Sequence, residues 1–319
     1  MKNKLLIAGS LVVLAVNAAG CQQNAAPSVP ADDMINQGVK KLSEVKASSF
    51  ELKLGGDLKG PTGEKPEKVA FNMTLTGSGD MTVKTDPKLN LKLTGDVSAD
   101  AEGGNVDLEV KLNKDALFAN LMKLDLKGDA AAQIPEEFKT QVLAKWWKLP
   151  IPAGTWDEIS KSVPSTADDS TLTPEQKKVK DAFEKTKFFK DAKFVDNQSV
   201  MGEDSAHYSV DLDEQATMDF LVTASEAQGQ KMTDTDKADM KKAFDWMDFK
   251  GNVYVGKTSG ALNKVDGTLT LTANDKEKLP GGTMTISFTT GNFGKAVTVD
   301  APANAQEVPM EALAGLMGG

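Results

Sequence analysis

The chain has 319 residues with a formal net charge of −9, and it contains one histidine, one cysteine and no arginine. An acidic chain whose basic residues are all lysine lacks the guanidinium forks that bind phosphate, which argues against a nucleic-acid partner. A lone cysteine forms no internal disulfide, and a single histidine cannot build a clustered metal site. With 40% hydrophobic residues, the chain can bury one substantial core, so we expect one domain and no cofactor.

The first twenty residues have the order of an export signal. Lys2 and Lys4 precede an apolar run that begins at Leu5 and has secretory length rather than the length of a membrane span. Small residues, among them Ala18, then lead into Cys21. This order resembles the bacterial lipoprotein signal, in which leucine usually stands where this chain has Ala18. The resemblance implies cleavage before Cys21 and diacylation of Cys21, for example with palmitate. The alternative is an ordinary secretory signal with an incidental cysteine.

A short uncharged segment separates this cysteine from the folded part. QQNAAPSVP has no aromatic residue and too little apolar surface to fold, so we expect a flexible leash. The expected organisation is a signal peptide (1–20), the lipidated cysteine and leash (21–31), one domain (32–300) and a C-terminal tail (301–319). Such an anchor would hold the protein on the cell membrane or outer membrane, facing the periplasm or the exterior. The tail ends in PMEALAGLMGG, which we expect to be partly ordered, the alternative being a helix docked over the sheet.

In the first third of the domain, a segment with apolar residues at helical spacing is followed by segments in which apolar and polar residues alternate. Residues 32–46 carry Ile35, Val39 and Leu42 at helical spacing, and Asp32 or Asp33 is expected to cap this helix. Apolar and polar residues then alternate along four segments, which predicts strands joined by short turns in an antiparallel meander. These predicted segments are residues 48–60, 68–83, 88–97 and 105–113.

The rest of the chain mixes helices with further strands. Predicted helices cover residues 134–149, 173–189, 218–228 and 235–247, and Thr173 is the expected cap of the second. Predicted strands lie on both sides of the Gly202 turn within residues 193–213, and again within 251–275 and 282–292. This order predicts an α+β domain whose helices collect on one face of a large antiparallel sheet.

Several of these segments together resemble the periplasmic LolA/LolB-like carriers and the LppX/LprG-type lipoproteins. They are the signal ending at Cys21, a first helix leading into SSFELKL, the strand AHYSVDLD before a helix, and GNVYVGKTSGALNKVDGTLTL. The pattern covers roughly residues 32–300 without a sharp motif. The resemblance implies a large, bent antiparallel sheet, an incomplete barrel, with helices packed on its concave face. It also implies that the acyl chains of a lipid or lipoprotein are held between sheet and helices.

An apolar cavity is the expected site of such a ligand, because helices cover a larger curved sheet only in part. Flexible thioethers such as those of Met218, Met240 and Met247 suit irregular acyl chains. Taken singly, each candidate is better explained as ordinary core, so the cavity rests on the resemblance. The candidate lining residues are Phe50, Leu52, Phe71, Met73, Leu91, Leu108, Trp146, Phe220, Leu221 and Phe244.

Motifs for catalysis are incomplete, so we expect no enzyme. The single histidine, His207, is predicted to lie on a strand, on its wetter face, and no G-x-S-x-G nucleophile elbow accompanies it. GSGDMT lacks the third glycine of a dinucleotide loop. DTDKAD has Ala238 and Asp239 where a calcium loop needs a ligand and a glycine, so it is interpreted as a helix N-terminus. Asp168 and Asp169 lie in a polar loop and are interpreted as solvated.

Two classes of function remain. In the first, the domain binds a lipid or glycolipid in its cavity and carries or presents it in the cell envelope. In the second, it is an anchored structural or interaction module with a packed core, no ligand and an envelope protein as partner. A wide cavity favours the first class, and a filled core with an adhesive edge strand favours the second.

Overall fold

The computed structural model describes residues 27–60, 68–80, 86–99, 102–132, 134, 136–152, 154, 172–274 and 280–308. The predicted signal peptide, Cys21, the Asp168-Asp169 segment and residues 309–319 lie outside these ranges. Helices in the described ranges are α1 (Ala31–Ser43), α2 (Asp129–Ala132), α3 (Glu136–Val142), α4 (Pro174–Lys185), α5 (Glu214–Ala227) and α6 (Asp234–Asp245). The strands are β1 (Ala47–Lys59), β2 (Lys68–Asp80), β3 (Lys88–Ala99), β4 (Glu102–Leu112), β5 (Ala116–Lys127), β6 (Trp147–Pro150), β7 (Phe189–Val200), β8 (Glu203–Leu212), β9 (Met247–Gly256), β10 (Leu262–Leu271), β11 (Gly281–Gly291) and β12 (Gln306–Glu307).

All twelve strands form one sheet in the order β12-β6-β5-β4-β3-β2-β1-β11-β10-β9-β8-β7. Two antiparallel meanders, β1 to β6 and β7 to β11, are joined by the pairing of β1 with β11. The short strand β12 is added to β6 in parallel at one edge. The predicted fold class is confirmed: an α+β domain on a large, open antiparallel sheet of the incomplete-barrel type.

The two faces of the sheet differ in chemistry along its whole width. Because neighbouring strands are in register, directly paired residues share a face. One face, called the apolar face below, carries a row of apolar side chains over ten strands, and the other carries a mainly polar row. The apolar row is Phe194, Tyr208, Val253, Val265, Phe288, Leu52, Leu75, Leu93, Leu108 and Leu121. The polar row is His207, Tyr254, Lys264, Thr289, Glu51, Thr76, Lys92, Glu109 and Asn120.

Helix α1 covers the apolar face over β7 to β10. Its Ile35 is buried in a cluster with Tyr208, Val253 and Val255 of the sheet. At Gly38 an added Cβ would lie 3.2 Å from Val255 Cγ2 and 3.3 Å from the Leu262 backbone nitrogen, so glycine lets the helix approach closely. The main core of the described structure therefore lies in this half of the molecule.

Two of the other helices pack beside this cover. Helices α4 and α5 pack on each other, and α4 also contacts α1. Thr173 caps α4, as predicted, in a capping box with Gln176. Thr233 caps α6 in the same way, so DTDKAD is indeed a helix N-terminus. No helix in the described part of the chain has the length and apolarity that a membrane crossing requires.

A half-buried carboxylate, that of Glu203, fixes the hairpin between β9 and β10. Glu203 Oε1 accepts hydrogen bonds from the backbone nitrogens of Ser259 (2.6 Å) and Thr258 (2.9 Å), and Asn263 Nδ2 donates to its Oε2 (3.1 Å). Burial acts to raise the pKa of Glu203, but these hydrogen bonds outweigh it and the pKa lies below its ordinary value. Glu203 thus ties the start of β8 to the hairpin loop.

The predicted helix over residues 134–149 is wrong in its second half. Helix α3 ends at Val142, and Ala144 takes a left-handed φ of 57°. Residues 147–150 then form β6, which pairs with the start of β5. Pairing with an exposed strand edge outweighs the helical spacing of the apolar residues in this segment.

Other helix ends also differ from their predicted positions. Helix α4 ends at Lys185 rather than at residue 189, because Thr186 is extended and the chain enters β7. Helix α5 begins at Glu214, capped by Asp213, four residues before its predicted start. Pro30 takes the N-cap position of α1 without a side-chain cap, so the predicted capping by either aspartate is wrong.

Candidate functional site

The apolar face continues beyond the part that α1 covers. Its remaining area, called the open half below, is formed by β11 and β1 to β6. Among the described positions that the register places on this face of these strands, Glu102 is the one ionisable side chain. The side chain of Val97 is 48% exposed and that of Ile286 37%. A contiguous apolar surface of this kind typically marks a binding site.

A groove of about 600 Å³ crosses the open half near the β3–β4 turn. Its walls include Phe71, Met73, Val97 and Leu126. At Gly95 an added Cβ would make only ordinary contacts, 3.5 Å from Val106 Cγ1 and 4.0 Å from Met73 Cγ. The groove is therefore deep at this point because glycine replaces a side chain on the apolar face. Its volume lies within the range of small-molecule sites, roughly 300–1,000 Å³.

Six of the candidate lining residues lie on the apolar face of the open half. Phe71 and Met73 are in the groove walls, and Leu52 and Leu108 belong to the central row. Phe50 and Leu91 lie on either side of Gly77, where an added Cβ would approach Phe50 Cζ to 2.7 Å and Leu91 Cδ2 to 2.8 Å. The alternation in the sequence therefore groups these six residues on one surface.

The other four candidates lie elsewhere. Trp146 lies against Lys111, whose Nζ is 5.1 Å from the ring centroid and which the register places on the polar face. Leu221 of α5 is 41% exposed, whereas Phe244 of α6 is nearly buried. Phe220 of α5 lies in a second depression, between helices. The structure does not bring these four residues to the groove.

That second depression, called the helix cleft below, has a volume of about 410 Å³ and lies between α1, α4 and α5. Phe183 and Phe220 line it, and with Phe188 they form an aromatic cluster with ring centroids 5.2–5.9 Å apart. Phe183 and Phe188 were not among the candidates from the sequence, although both lie in the second half of the helix predicted over residues 173–189. Residues lining the groove are on strands and those lining the cleft are on or beside helices.

Sequence reasoning also missed the glycines that shape the groove. Gly95 and Gly104 interrupt alternating strands, a signal for close approach or for missing bulk on one face. At Gly104 an added Cβ would come within 2.6 Å of Leu126 Cδ2 and of the Asp125 carbonyl oxygen. A side chain at Gly104 would therefore displace the wall of the groove, whereas one at Gly95 would fill its floor.

His207 lies on the polar face of β8, as predicted, yet its side chain is nearly buried. Its Nδ1 is 2.8 Å from Asp196 Oδ1, and its Nε2 is 2.9 Å from Asn252 Oδ1. Asn252 Nδ2 in turn donates to Asp266 Oδ1 at 2.8 Å, which extends the hydrogen-bonded group to β10. The ring also stacks on Tyr254 with centroids 4.5 Å apart. His207 thus joins β7, β8 and β9 structurally.

Hydrogen bonds and charges around His207 shift the pKa values of Asp196 and Tyr254. The hydrogen bond from His207 lowers the pKa of Asp196. Burial, together with the negative charges of Asp266 and Asp196, raises the pKa of Tyr254 to about 12. Within the described ranges, no group of three or more histidine, cysteine or acidic side chains is placed to hold a metal ion. The described polar groups at His207 serve to connect strands.

Comparison with known proteins gives similarity in structure alone. No protein-family model and no curated protein matches the sequence. LprF from Mycobacterium bovis matches with 9% identity and a TM-score of 0.34, over 88% of this chain and 100% of that chain. Lipoprotein LppX from Mycobacterium tuberculosis matches with 9% identity and a TM-score of 0.31, over 85% of this chain and 98% of that chain.

A LolA superfamily protein from Nitrosomonas europaea also matches, with 7% identity and a TM-score of 0.18, over 89% of this chain and 97% of that chain. Both groups that the sequence resembles are therefore represented among the matched structures. In fold the chain is similar to these solved structures.

Proposed function

We propose that this protein is a lipid-anchored envelope protein that binds the apolar chains of a lipid or glycolipid on the open half of its sheet, for transport or presentation. The observation that carries the proposal is the continuity of the apolar face. The same row of side chains that forms the core beneath α1 extends over β11 and β1 to β5, where the described helices leave the central strands accessible.

Binding there has a simple physical basis. Each methylene group that moves from water to the apolar face gains about 0.8 kcal/mol. The groove has walls on both sides, between which a linear acyl chain would lie, and its floor at Gly95 is uncharged. The polar face of the same strands bears lysines and carboxylates, such as Lys92 beside Glu109 (3.8 Å), and stays in water. Affinity would therefore come from hydrocarbon burial rather than from charge.

Copurification would test the proposal directly. The chain from Gln22 onward would be exported with a cleavable signal, purified without detergent, and extracted with organic solvent for mass spectrometry. A defined lipid in near-stoichiometric amount is the expected result. A blank extract, repeated after incubation with membrane lipids, would contradict the proposal and favour the interaction module instead.

A matched pair of glycine variants locates the site. Gly95→Leu places a side chain in the groove, so we expect it to lower the amount of bound lipid severalfold. Gly79→Leu is the control, because Gly79 lies on the same face of the neighbouring strand β2, outside the groove, with 3.4 Å between its added Cβ and Leu89 Cδ1. Equal lipid content in both variants would show that the groove is not the site.

The anchor is a separate part of the proposal. Cys21 is proposed to be acylated, with the leash placing α1 within about 35 Å of the membrane, since ten extended residues span at most about 3.5 Å each. Intact mass spectrometry of the membrane fraction should show the acyl mass at Cys21. The Cys21→Ser variant should lose that mass and leave the membrane fraction on washing. An unacylated wild-type cysteine would contradict the anchor but not the ligand site.

A further inference from the structure

The groove on the open half has one charged end. The described groove residues that the register places on the apolar face are apolar or glycine, apart from Glu102. Glu102 pairs with Ala99 at the edge of the sheet, where β3 ends and β4 begins. Inward from this edge the floor passes Gly95, and the walls continue to Leu93 and Met73. The groove therefore runs from a carboxylate at the sheet edge into an apolar interior.

A glycine leaves room for the side chain of Glu102 at this edge. At Gly128, directly after β5, an added Cβ would lie 2.7 Å from Glu102 Cγ and 3.4 Å from Glu102 Cβ. Gly128 also has a left-handed φ of 71°, which glycine takes without strain. Leu126, two residues earlier, belongs to the groove wall. Since Glu102 is exposed, its carboxylate lies in water at the mouth of the groove.

The carboxylate of Glu102 has no partner among the described residues, neither in an ion pair nor in a hydrogen bond. Lys127 is near it in the fold, but it pairs with Gly103, which places its side chain on the polar face. Lys92 also lies on the polar face, with its Nζ 3.8 Å from Glu109 Oε1. The lysines of these strands thus balance the acids of the polar face and leave Glu102 as an unbalanced negative charge.

An amphiphile in the groove has one favourable direction. A head group placed inward, among Met73, Leu93 and Val106, would lose its water without gaining a hydrogen-bond partner, which is strongly unfavourable. The hydrocarbon chain therefore points inward past Gly95, and the head group stays in water at the sheet edge. There it lies beside the carboxylate of Glu102.

We infer that Glu102 selects the head group of the ligand, so that the groove prefers an amphiphile whose head group ends in an ammonium group over one with an exposed anion. The inference rests on the proposed function for the presence of a ligand in the groove. An ammonium group donates a charge-assisted hydrogen bond to a carboxylate, whereas a sulfate, phosphate or carboxylate head group is repelled by it. Two exposed unit charges about 4–5 Å apart change an equilibrium about threefold to fivefold. Attraction in one case and repulsion in the other should separate the two classes by about tenfold at low salt.

Three amphiphiles with the same dodecyl chain test this preference. Dodecylammonium, dodecyl maltoside and dodecyl sulfate would each be titrated, below the critical micelle concentration, into the chain that is used for copurification. Isothermal titration calorimetry should show that dodecylammonium binds about tenfold more tightly than dodecyl sulfate, with the uncharged maltoside between them. The ratio should fall as the salt concentration is raised from about 20 mM to about 500 mM, because exposed charges are screened.

Two variants of equal net charge locate the cause of the preference. Glu102→Gln should lower the ratio of the ammonium affinity to the sulfate affinity by about threefold to tenfold. Glu109→Gln removes the same charge from the polar face of the same strand, so it should leave the ratio unchanged. Because both variants lose one negative charge, the general attraction of an acidic chain for cations is the same in both.

The uncharged maltoside separates this inference from the proposed function. If it binds, and Gly95→Leu weakens its binding, the groove is a ligand site. Equal ratios in Glu102→Gln and Glu109→Gln would then overturn selection by Glu102 and leave the proposed function intact. A ratio that does not respond to salt would also overturn the selection, since charge would not be its cause. If none of the three amphiphiles binds, the proposed function and this inference both fail.

Discussion

Truncating one valine in each half of the apolar face would measure how far the helices cover it. Val253 in β9 is 0% exposed beneath α1, and Val106 in β4 is partly buried beside the groove. Both residues lie on the same face of strands inside the sheet. Val253→Ala and Val106→Ala therefore remove the same atoms from two environments that differ mainly in cover.

The expected costs differ by a clear margin. Loss of two buried methylene equivalents at Val253 costs about 1.6 kcal/mol in transfer free energy. The cavity that remains in the packed core beneath α1 adds about 1 kcal/mol, so Val253→Ala should lower the free energy of unfolding by about 2.5 kcal/mol. Val106 keeps solvent on its groove side and leaves no closed cavity, so its truncation should cost less than about 1 kcal/mol.

Urea unfolding of the two variants and the unmodified chain, followed by tryptophan fluorescence and circular dichroism, would give both values. The slope against denaturant should stay constant, which would show that each change acts on stability alone. Equal costs for the two truncations would refute the reasoning, because the open half would then be as well covered as the core. When a lipid is bound, Val106→Ala should lower the free energy of unfolding by more than it does without lipid. The effect of Val253→Ala should not change.

Three further changes have defined outcomes. Glu203→Gln should destabilise the protein by about 1–2 kcal/mol at neutral pH, since a charged acceptor is lost. Folding lowers the pKa of Glu203, so the contribution of this carboxylate to stability is present above about pH 4.5. That contribution is lost as the pH falls through the lowered pKa of the folded state. Comparing unfolding free energies of both chains from pH 7 to 3 checks the sign: the gap should close in acid. Gly38→Leu should cost about 1–3 kcal/mol in thermal unfolding, because the side chain meets Val255 and the Leu262 backbone. Thr233→Ala should cost about 1 kcal/mol by loss of the α6 cap, and Thr233→Ser should restore most of it.

Alternation in the sequence predicted β1 to β4 because one side of each strand is apolar and the other is wet. The same rule missed β5. Its pairing with β4 shifts between Asp107 and Leu108, so that Met122 is the extra residue of a bulge. The bulge changes which residues face the apolar side, Leu121 before it and Leu124 after it, and a strict period of two fails. A local irregularity of the backbone therefore hid a strand of twelve residues.

Local sequence patterns do not predict which strands pair when they are far apart in the chain. The sequence predicted two groups of strands, but not that β1 pairs with β11 or that α1 packs over β7 to β10. For that reason the candidate lining residues on strands share a surface, whereas Trp146, Phe220 and Leu221 are spread over other parts. The burial of His207 was missed for a related reason, since the cover comes from Tyr254 and Asn252 of another strand.

The pairing of β1 with β11 has a consequence for how the molecule assembles. Each meander is built from neighbours in the chain, whereas Thr290 Oγ1 donates to the carbonyl oxygen of Ser49, 241 positions away. Contacts between distant residues carry the greatest loop-closure entropy and slow folding. Both meanders can therefore gain their own hydrogen bonds before the junction between β1 and β11 closes. During synthesis the first meander must wait for the last long strand, with one edge of β1 unpaired until β11 arrives.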